Sequence, residues 1–141
     1  MKIQFVAGFG PIVRDPDASK RFYRDTLGLP LAPIGGQQDY LGTDDLDGVK
    51  AFALWRLGDA AQSCFGTNLW PEHIPAPQAW LEFDVESVAA VGTAADELTE
   101  RGYRLLVRAR EEPWGQTVTR LLGPEGLLVG VVFTPWLHKG S

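Results

Sequence analysis

The sequence predicts an α+β fold in which two βαβββ half-modules form a curved mixed sheet around a cleft. Three observations predict it. A helix phrase is bracketed by start and stop residues, Asp15-Pro16 before it and Gly28 after it. The strand-ending Val85 and the helix-ending Gly102 fall 72 and 74 residues after Val13 and Gly28, a near-constant offset that marks an internal repeat. The chain closes on two apolar stretches joined by Gly123-Pro124-Glu125-Gly126, which reads as a hairpin turn.

Taken in order, the first half opens on a strand over Ile3–Val13, where Ala7, Gly8 and Gly10 permit close backbone approach. Asp15 caps a helix through Ala18, Phe22, Tyr23 and Leu27, and Gly28 ends it. Strands are expected at Tyr40–Leu41, Val49–Leu57 and Gln62–Gly66. The second half opens on Trp80-Leu81-Glu82-Phe83-Asp84-Val85, which alternates as a strand does. Ser87 or Asp84 can cap the next helix, whose Val88, Val91, Ala95 and Leu98 recur at spacings of three and four before Gly102. Strands over Tyr103–Ala109, Thr117–Leu122 and Leu127–Phe133 complete it. The organisation expected is a first module over 1–67, a proline-rich extended linker over 68–78, a second module over 79–136 and a tail over 137–141.

With 141 residues and 15.5 kDa, the chain suits one domain or two small modules sharing a core. No apolar run approaches the roughly 20 residues that cross a membrane, and residues 1–5 do not read as a secretion signal. Cys64 is the only cysteine, so no intrachain disulfide or multi-cysteine zinc site can form, and a cytoplasmic protein is expected. Its setting, Ser63-Cys64-Phe65-Gly66, reads as that of a buried inert thiol. A formal charge of −5 argues against a nucleic-acid partner. The basic cluster Arg101, Arg104, Arg108 and Arg110 is offset by Glu97, Glu100, Glu111 and Glu112. Five tryptophans in a chain this short point to a core or to a pocket for flat or amphipathic ligands.

Two phrases carry a resemblance. The run Val13-Arg14-Asp15-Pro16-Asp17-Ala18-Ser19-Lys20-Arg21-Phe22-Tyr23-Arg24-Asp25-Thr26-Leu27-Gly28-Leu29 and the turn Pro113-Trp114-Gly115 with its closing hairpin resemble the vicinal-oxygen-chelate family. That family holds glyoxalases, extradiol dioxygenases, fosfomycin-modifying enzymes and bleomycin-resistance proteins, and the resemblance spans nearly the whole chain. It implies a divalent metal held by His, Gln and Glu side chains on inward-facing strand positions, where such donors suit Zn²⁺, Fe²⁺, Mn²⁺ or Ni²⁺. The corresponding positions here are Gly8, seven residues before Asp15; Trp80, five before Val85; and Gly130, four after Gly126. None can ligate through its side chain. The hairpin also departs from the family pattern, because Gly123 stands where an acid is usual.

Other donors are scattered. His73 lies in the linker and His138 in the tail, where solvation or local hydrogen bonding is expected. Gln4, Glu82 and Gln116 lie on or beside strands, and a two-residue change of register would bring Glu82 into the cleft. Aromatic residues take the place of the metal. The expected ligand-binding set is Phe9, Trp55, Trp80, Glu82, Trp114 and Gln116, with no catalytic residue, metal or cofactor. Alternation turns Trp80, Glu82 and Asp84 toward cleft or solvent and buries Leu81, Phe83 and Val85 under the helices. Removing the Trp80 ring is then expected to weaken an aromatic ligand about tenfold at modest cost in stability.

The leading functional expectation is a metal-free binding protein of the bleomycin-resistance type. It would sequester a small aromatic or amphipathic molecule such as an antibiotic, with two chains pairing as the resemblance implies. One alternative is a glyoxalase-type lyase or dioxygenase with displaced metal ligands. The other is a non-catalytic regulatory or structural module whose cleft is filled by its own tryptophans.

Overall fold

In a computed structural model describing residues 1–35 and 37–138, the side chains at 37–39 excepted, both half-modules take the same path. The first contains β1 (Phe5–Val13), α1 (Pro16–Lys20), β2 (Ala32–Ile34), β3 (Gln37–Thr43) and β4 (Phe52–Arg56). A helix α2 (Leu57–Phe65) follows. The second module contains β5 (Ala79–Asp84), α3 (Val88–Glu100), β6 (Val107–Glu111), β7 (Thr117–Leu122) and β8 (Leu128–Phe133). All eight strands form one curved, unclosed sheet in the order β2-β3-β4-β1-β5-β8-β7-β6. Antiparallel β1 and β5 meet at its centre, and each runs parallel to the last strand of its own module. None of the described helices is long and apolar enough to cross a membrane.

Local chemistry sets the helix ends. Asp15 accepts a hydrogen bond from the Ala18 amide at 3.1 Å, with Pro16 in the first turn. Past Lys20 the helix widens into π-type turns over Arg21–Thr26, and Gly28 then reverses the chain at φ 74°. In α3 it is Ser87, rather than Asp84, that accepts from the Ala90 amide, at 3.1 Å. At its other end the Gly102 and Tyr103 amides bond back to Thr99 and Leu98, a paired closure made possible by Gly102 at φ 91°. The buried stripe Val91, Ala94 and Ala95 lies against the second module's strands.

Three expectations are corrected. The strand expected over Gln62–Gly66 is the end of α2, which Gly66 terminates at φ 74°. Its buried residues Ala60, Ala61 and Cys64 fall on one helical face, and such small side chains favour a helix over a strand. The missing third strand of the first module is β2, at the sheet edge, where Pro33 needs no partner for an absent N–H. β6 begins at Val107 rather than Tyr103, because Tyr103 is used in closing α3. The linker is also less extended than its prolines suggest. Ile74 turns back onto the Pro71 carbonyl, and the Trp70 ring meets Phe65 edge-on at 5.0 Å. Of the tail, residues 139–141 lie outside the described residues.

Burial along β5 reverses the expected emphasis. Trp80, Glu82 and Asp84 are buried, while Leu81 and Phe83 are only half-buried. Curvature and α2 account for this: the concave face is closed by its own bend and by α2, whereas the convex face is covered only where α1 and α3 lie. The largest core cluster accordingly joins Trp55 and Trp80 to Ala60 and Cys64 of α2.

Candidate functional site

A cavity of about 780 Å³ opens on the concave face. Its walls include Tyr40, Trp55, Trp80, Trp114 and Trp136, and its polar surface includes Glu82, Gln116, Arg120 and Thr134. Register explains the floor. Glu82 of β5 lies opposite Gly8 of β1 on one side and Gly130 of β8 on the other, and Gly130 lies opposite Arg120 of β7. One transverse row across four strands therefore reads Gly8, Glu82, Gly130, Arg120. Trp80 belongs to the next row, between Gly10 and Leu128. The residue of β5 directly opposite Gly8 is thus Glu82, two residues from Trp80.

The two glycines leave room that their neighbours fill. A Cβ on Gly130 would stand 3.2 Å from the Glu82 Cγ and 3.3 Å from the Arg120 Nη1. A Cβ on Gly8 would stand 2.7 Å from the Ala51 carbonyl oxygen and 3.0 Å from the Trp80 ring. Arg120 and Trp80 extend their side chains across backbone that carries none.

Glu82 has both oxygens engaged. Oε1 accepts from the Gln116 amide at 2.9 Å and Oε2 from Arg120 Nη1 at 2.9 Å. Gln116 also donates to the Thr134 hydroxyl at 2.9 Å, while its carbonyl accepts from the Trp114 indole at 3.0 Å. Behind the floor, Arg120 Nε donates to Ser63 Oγ at 3.1 Å, and Ser63 donates to Glu112 at 3.0 Å. Arg110 neutralises Glu112 from the rim at 2.9 Å and also contacts the Ser63 carbonyl. The result is a buried chain of alternating charge running from β5 through β7 and α2 to β6.

Aromatic packing completes the walls. The Arg120 guanidinium lies 4.8 Å from the centre of the Trp55 ring, and Trp55 meets Trp80 edge-to-face at 6.3 Å. Trp80 donates its indole N–H to the Ala53 carbonyl at 3.1 Å. Burial, reinforced by the Glu82 carboxylate, pushes the Tyr40 phenol up to about 12, so it stays protonated and can donate. Cys64, beneath the floor, is buried, and that burial pushes its thiol up to about 11.

Of the six residues expected to bind ligand, Trp55, Trp80, Glu82, Trp114 and Gln116 line this cavity. Phe9 does not. Gly8 and Gly10 lie on the concave side under the Trp80 ring, so alternation sends Phe9 to the convex side, where it is 45% exposed and meets Phe52 edge-on. His138, expected to be solvated or locally bonded, bonds to the fully buried Asp84 and packs against Phe5 and Phe133. Asp84 also accepts from the Thr134 amide at 3.0 Å, anchoring the short turn Pro135–Leu137 that brings Trp136 to the cavity. Sequence reasoning missed Arg120, and its signal was a lone cation inside the apolar run Thr117–Leu122.

The donor set does not fit a divalent metal. Two of the three positions are glycine, and the third is a carboxylate already held by a guanidinium and an amide. Among the described residues no cluster of three or more His, Cys, Asp or Glu side chains could hold an ion. The cation in the row is Arg120 itself.

Structural comparison finds the same fold widely at low identity. A chain from Legionella pneumophila described as an NAD-dependent benzaldehyde dehydrogenase aligns with TM-score 0.59 at 15% identity, covering 89% of this chain and 96% of that one. A variant of Streptomyces coelicolor methylmalonyl-CoA epimerase, solved with 2-nitronate-propionyl-CoA, aligns with TM-score 0.55 at 18% identity, covering 95% and 99%. A glyoxalase/bleomycin resistance protein/dioxygenase superfamily member from Vibrio splendidus 12B01 aligns with TM-score 0.55 at 16% identity, covering 94% and 100%. No curated protein sequence matches the chain. The family profile of the same superfamily matches residues 6–131, nearly the whole length described above. With that match and this sheet, the chain belongs to the glyoxalase/bleomycin resistance protein/dioxygenase superfamily.

Proposed function

We propose that this protein is a metal-independent small-molecule-binding member of its superfamily, taking a flat aromatic or amphipathic compound, such as an antibiotic, into the concave cleft. The observation that carries the reading is the floor. At the row where relatives would place metal donors, this chain places a buried Glu82–Arg120 pair, and above it stands an aromatic-walled cavity of about 780 Å³. That volume is within the usual range for small-molecule sites, and open space of this size argues against a cleft filled by its own tryptophans. Phe9 drops out of the proposed site, while Tyr40, Arg120 and Trp136 join it.

Titrating a panel of flat aromatic compounds while following tryptophan fluorescence, beside elemental analysis of the dialysed protein, tests the reading. Saturable quenching at one ligand per cleft is expected, with metal well below one equivalent. One equivalent of Zn, Fe, Mn or Ni that survives dialysis and is lost in Glu82→Ala would move the protein to the metal-dependent lyase or oxygenase class.

The same reading pairs two copies of the chain. On the convex side of the central strands, Val6 and Phe9 are 43% and 45% exposed beside the half-buried Leu81 and Phe83, an apolar strip suited to a self-complementary contact. Light scattering at micromolar concentration is expected to give twice the chain mass, and a single-chain mass would refute pairing.

A further inference from the structure

We infer that Arg120 Nη2 is the polar anchor of the cleft and that it receives a neutral carbonyl oxygen of the bound aromatic compound. The inference rests on the binding reading above and names the chemistry that reading leaves open. Arg120 is fully buried, yet one of its donors is unmatched. Nε goes to Ser63 and Nη1 to Glu82, while Nη2 has no acceptor among the described residues. A guanidinium can only donate and cannot shed its charge, so a buried unmatched N–H is costly unless an acceptor comes from outside the fold. Arg120 is one of the residues lining the cavity, and although Nη2 has almost no exposed surface in this structure, an occupant that draws the guanidinium slightly toward the opening can supply that acceptor.

Charge decides what kind of acceptor. Glu82 already neutralises Arg120, and Arg110 neutralises Glu112 behind it. Among the described residues, the remaining charged side chains on the cavity wall are Asp44 and Asp45, both exposed and both negative. A carboxylate placed against Nη2 would therefore bury a charge with no counter-charge to match it, facing two more acids at the mouth. A ketone, amide or quinone oxygen satisfies the N–H without that cost. Conjugation keeps such a group coplanar with its ring, which suits a site walled by Trp55, Trp80 and Trp114.

Three naphthalenes of nearly equal shape separate these possibilities by calorimetric titration of the whole chain: acetonaphthone, naphthoate and isopropylnaphthalene. Acetonaphthone is expected to bind about tenfold or more tighter than the hydrocarbon, with naphthoate weaker than the ketone. In Arg120→Met/Glu82→Gln, which removes both members of the ion pair and strands neither charge, the advantage of the ketone is expected to fall to about twofold or less. If that variant does not fold, the ranking on the parent protein still decides. Equal binding of ketone and hydrocarbon would overturn the inference while leaving the aromatic cleft standing. Tightest binding by naphthoate would overturn the neutral-acceptor assignment, and a ketone advantage that persists in the folded variant would remove Arg120. Failure of all three to bind would sink the cleft reading and this inference with it.

Discussion

Trp80→Ala is expected to destabilise the fold by about 3–5 kcal/mol, lowering the melting temperature by about 10 °C or more. The expectation that alternation alone supports, a modest loss, is too small for what the ring does. Trp80 is 6% exposed and lies across the backbone of β1, 3.0 Å from where a Cβ would stand on either Gly8 or Gly10. Its indole N–H reaches over β1 to the Ala53 carbonyl of β4, so one side chain ties three adjacent strands across the boundary between the modules. Truncation opens a cavity, strands a carbonyl and removes the edge on which Trp55 rests. Gly10→Ala is expected to be comparably harmful, since its Cβ would stand 2.1 Å from the Ala53 carbonyl oxygen. Urea unfolding of the two variants measures this. A loss below about 1 kcal/mol for Trp80→Ala would show that the ring is not part of the core.

Much of this architecture is written in punctuation that sequence reading handles well. Asp15-Pro16, Ser87, Gly28 and Gly102 each act through bonds within a few residues of themselves, and all four mark real helix ends. The repeat was legible too, but two offsets were available and they disagree by two residues. The Gly28–Gly102 offset, 74, carries Gly8 onto Glu82, whereas the Val13–Val85 offset, 72, carries it onto Trp80. Strand pairing sets Glu82 directly opposite Gly8 and Trp80 opposite Gly10, a register that both offsets satisfy. Both residues lie on the same face of β5, so either offset keeps alternation intact and the sequence alone has no means of choosing.

Arg120 was illegible for a different reason. Its partners Glu82 and Ser63 are 38 and 57 residues away, and a lone arginine in a strand looks like a solvent-facing one until its strand is paired. The segment Gln62–Gly66 that supplies Ser63 has the pattern of a strand, whereas it forms the end of α2. Without it, nothing in the sequence suggests that the concave face has a polar lid behind its ion pair. Phe9 failed by the same logic in reverse. An aromatic in a glycine-rich strand suggests a pocket wall, but the concave side of that strand belongs to the glycines, over which Trp80 lies.

The same ion pair gives the second large effect. Arg120→Met is expected to cost about 3–5 kcal/mol, because it leaves the Glu82 carboxylate buried without its cation, and Glu82→Gln alone is expected to be similarly harmful in stranding Arg120. Combined, the two substitutions are expected to cost clearly less than their sum, since neither charge is then left alone and the introduced amide carbonyl can still accept from Gln116. Thermal or urea unfolding of the parent, both single variants and the double variant closes the cycle. Additive losses would show that the two groups do not stabilise one another, and would count against the proposed metal-independent reading of the row Gly8, Glu82, Gly130, Arg120. A strong coupling would mean something more specific. In this chain the glycines at 8 and 130 make the space in which Trp80 and the Glu82–Arg120 pair can lie. Restoring a single donor at either position would then meet a filled row, with the Ala51 carbonyl and the Trp80 ring at one end and Glu82 and Arg120 at the other.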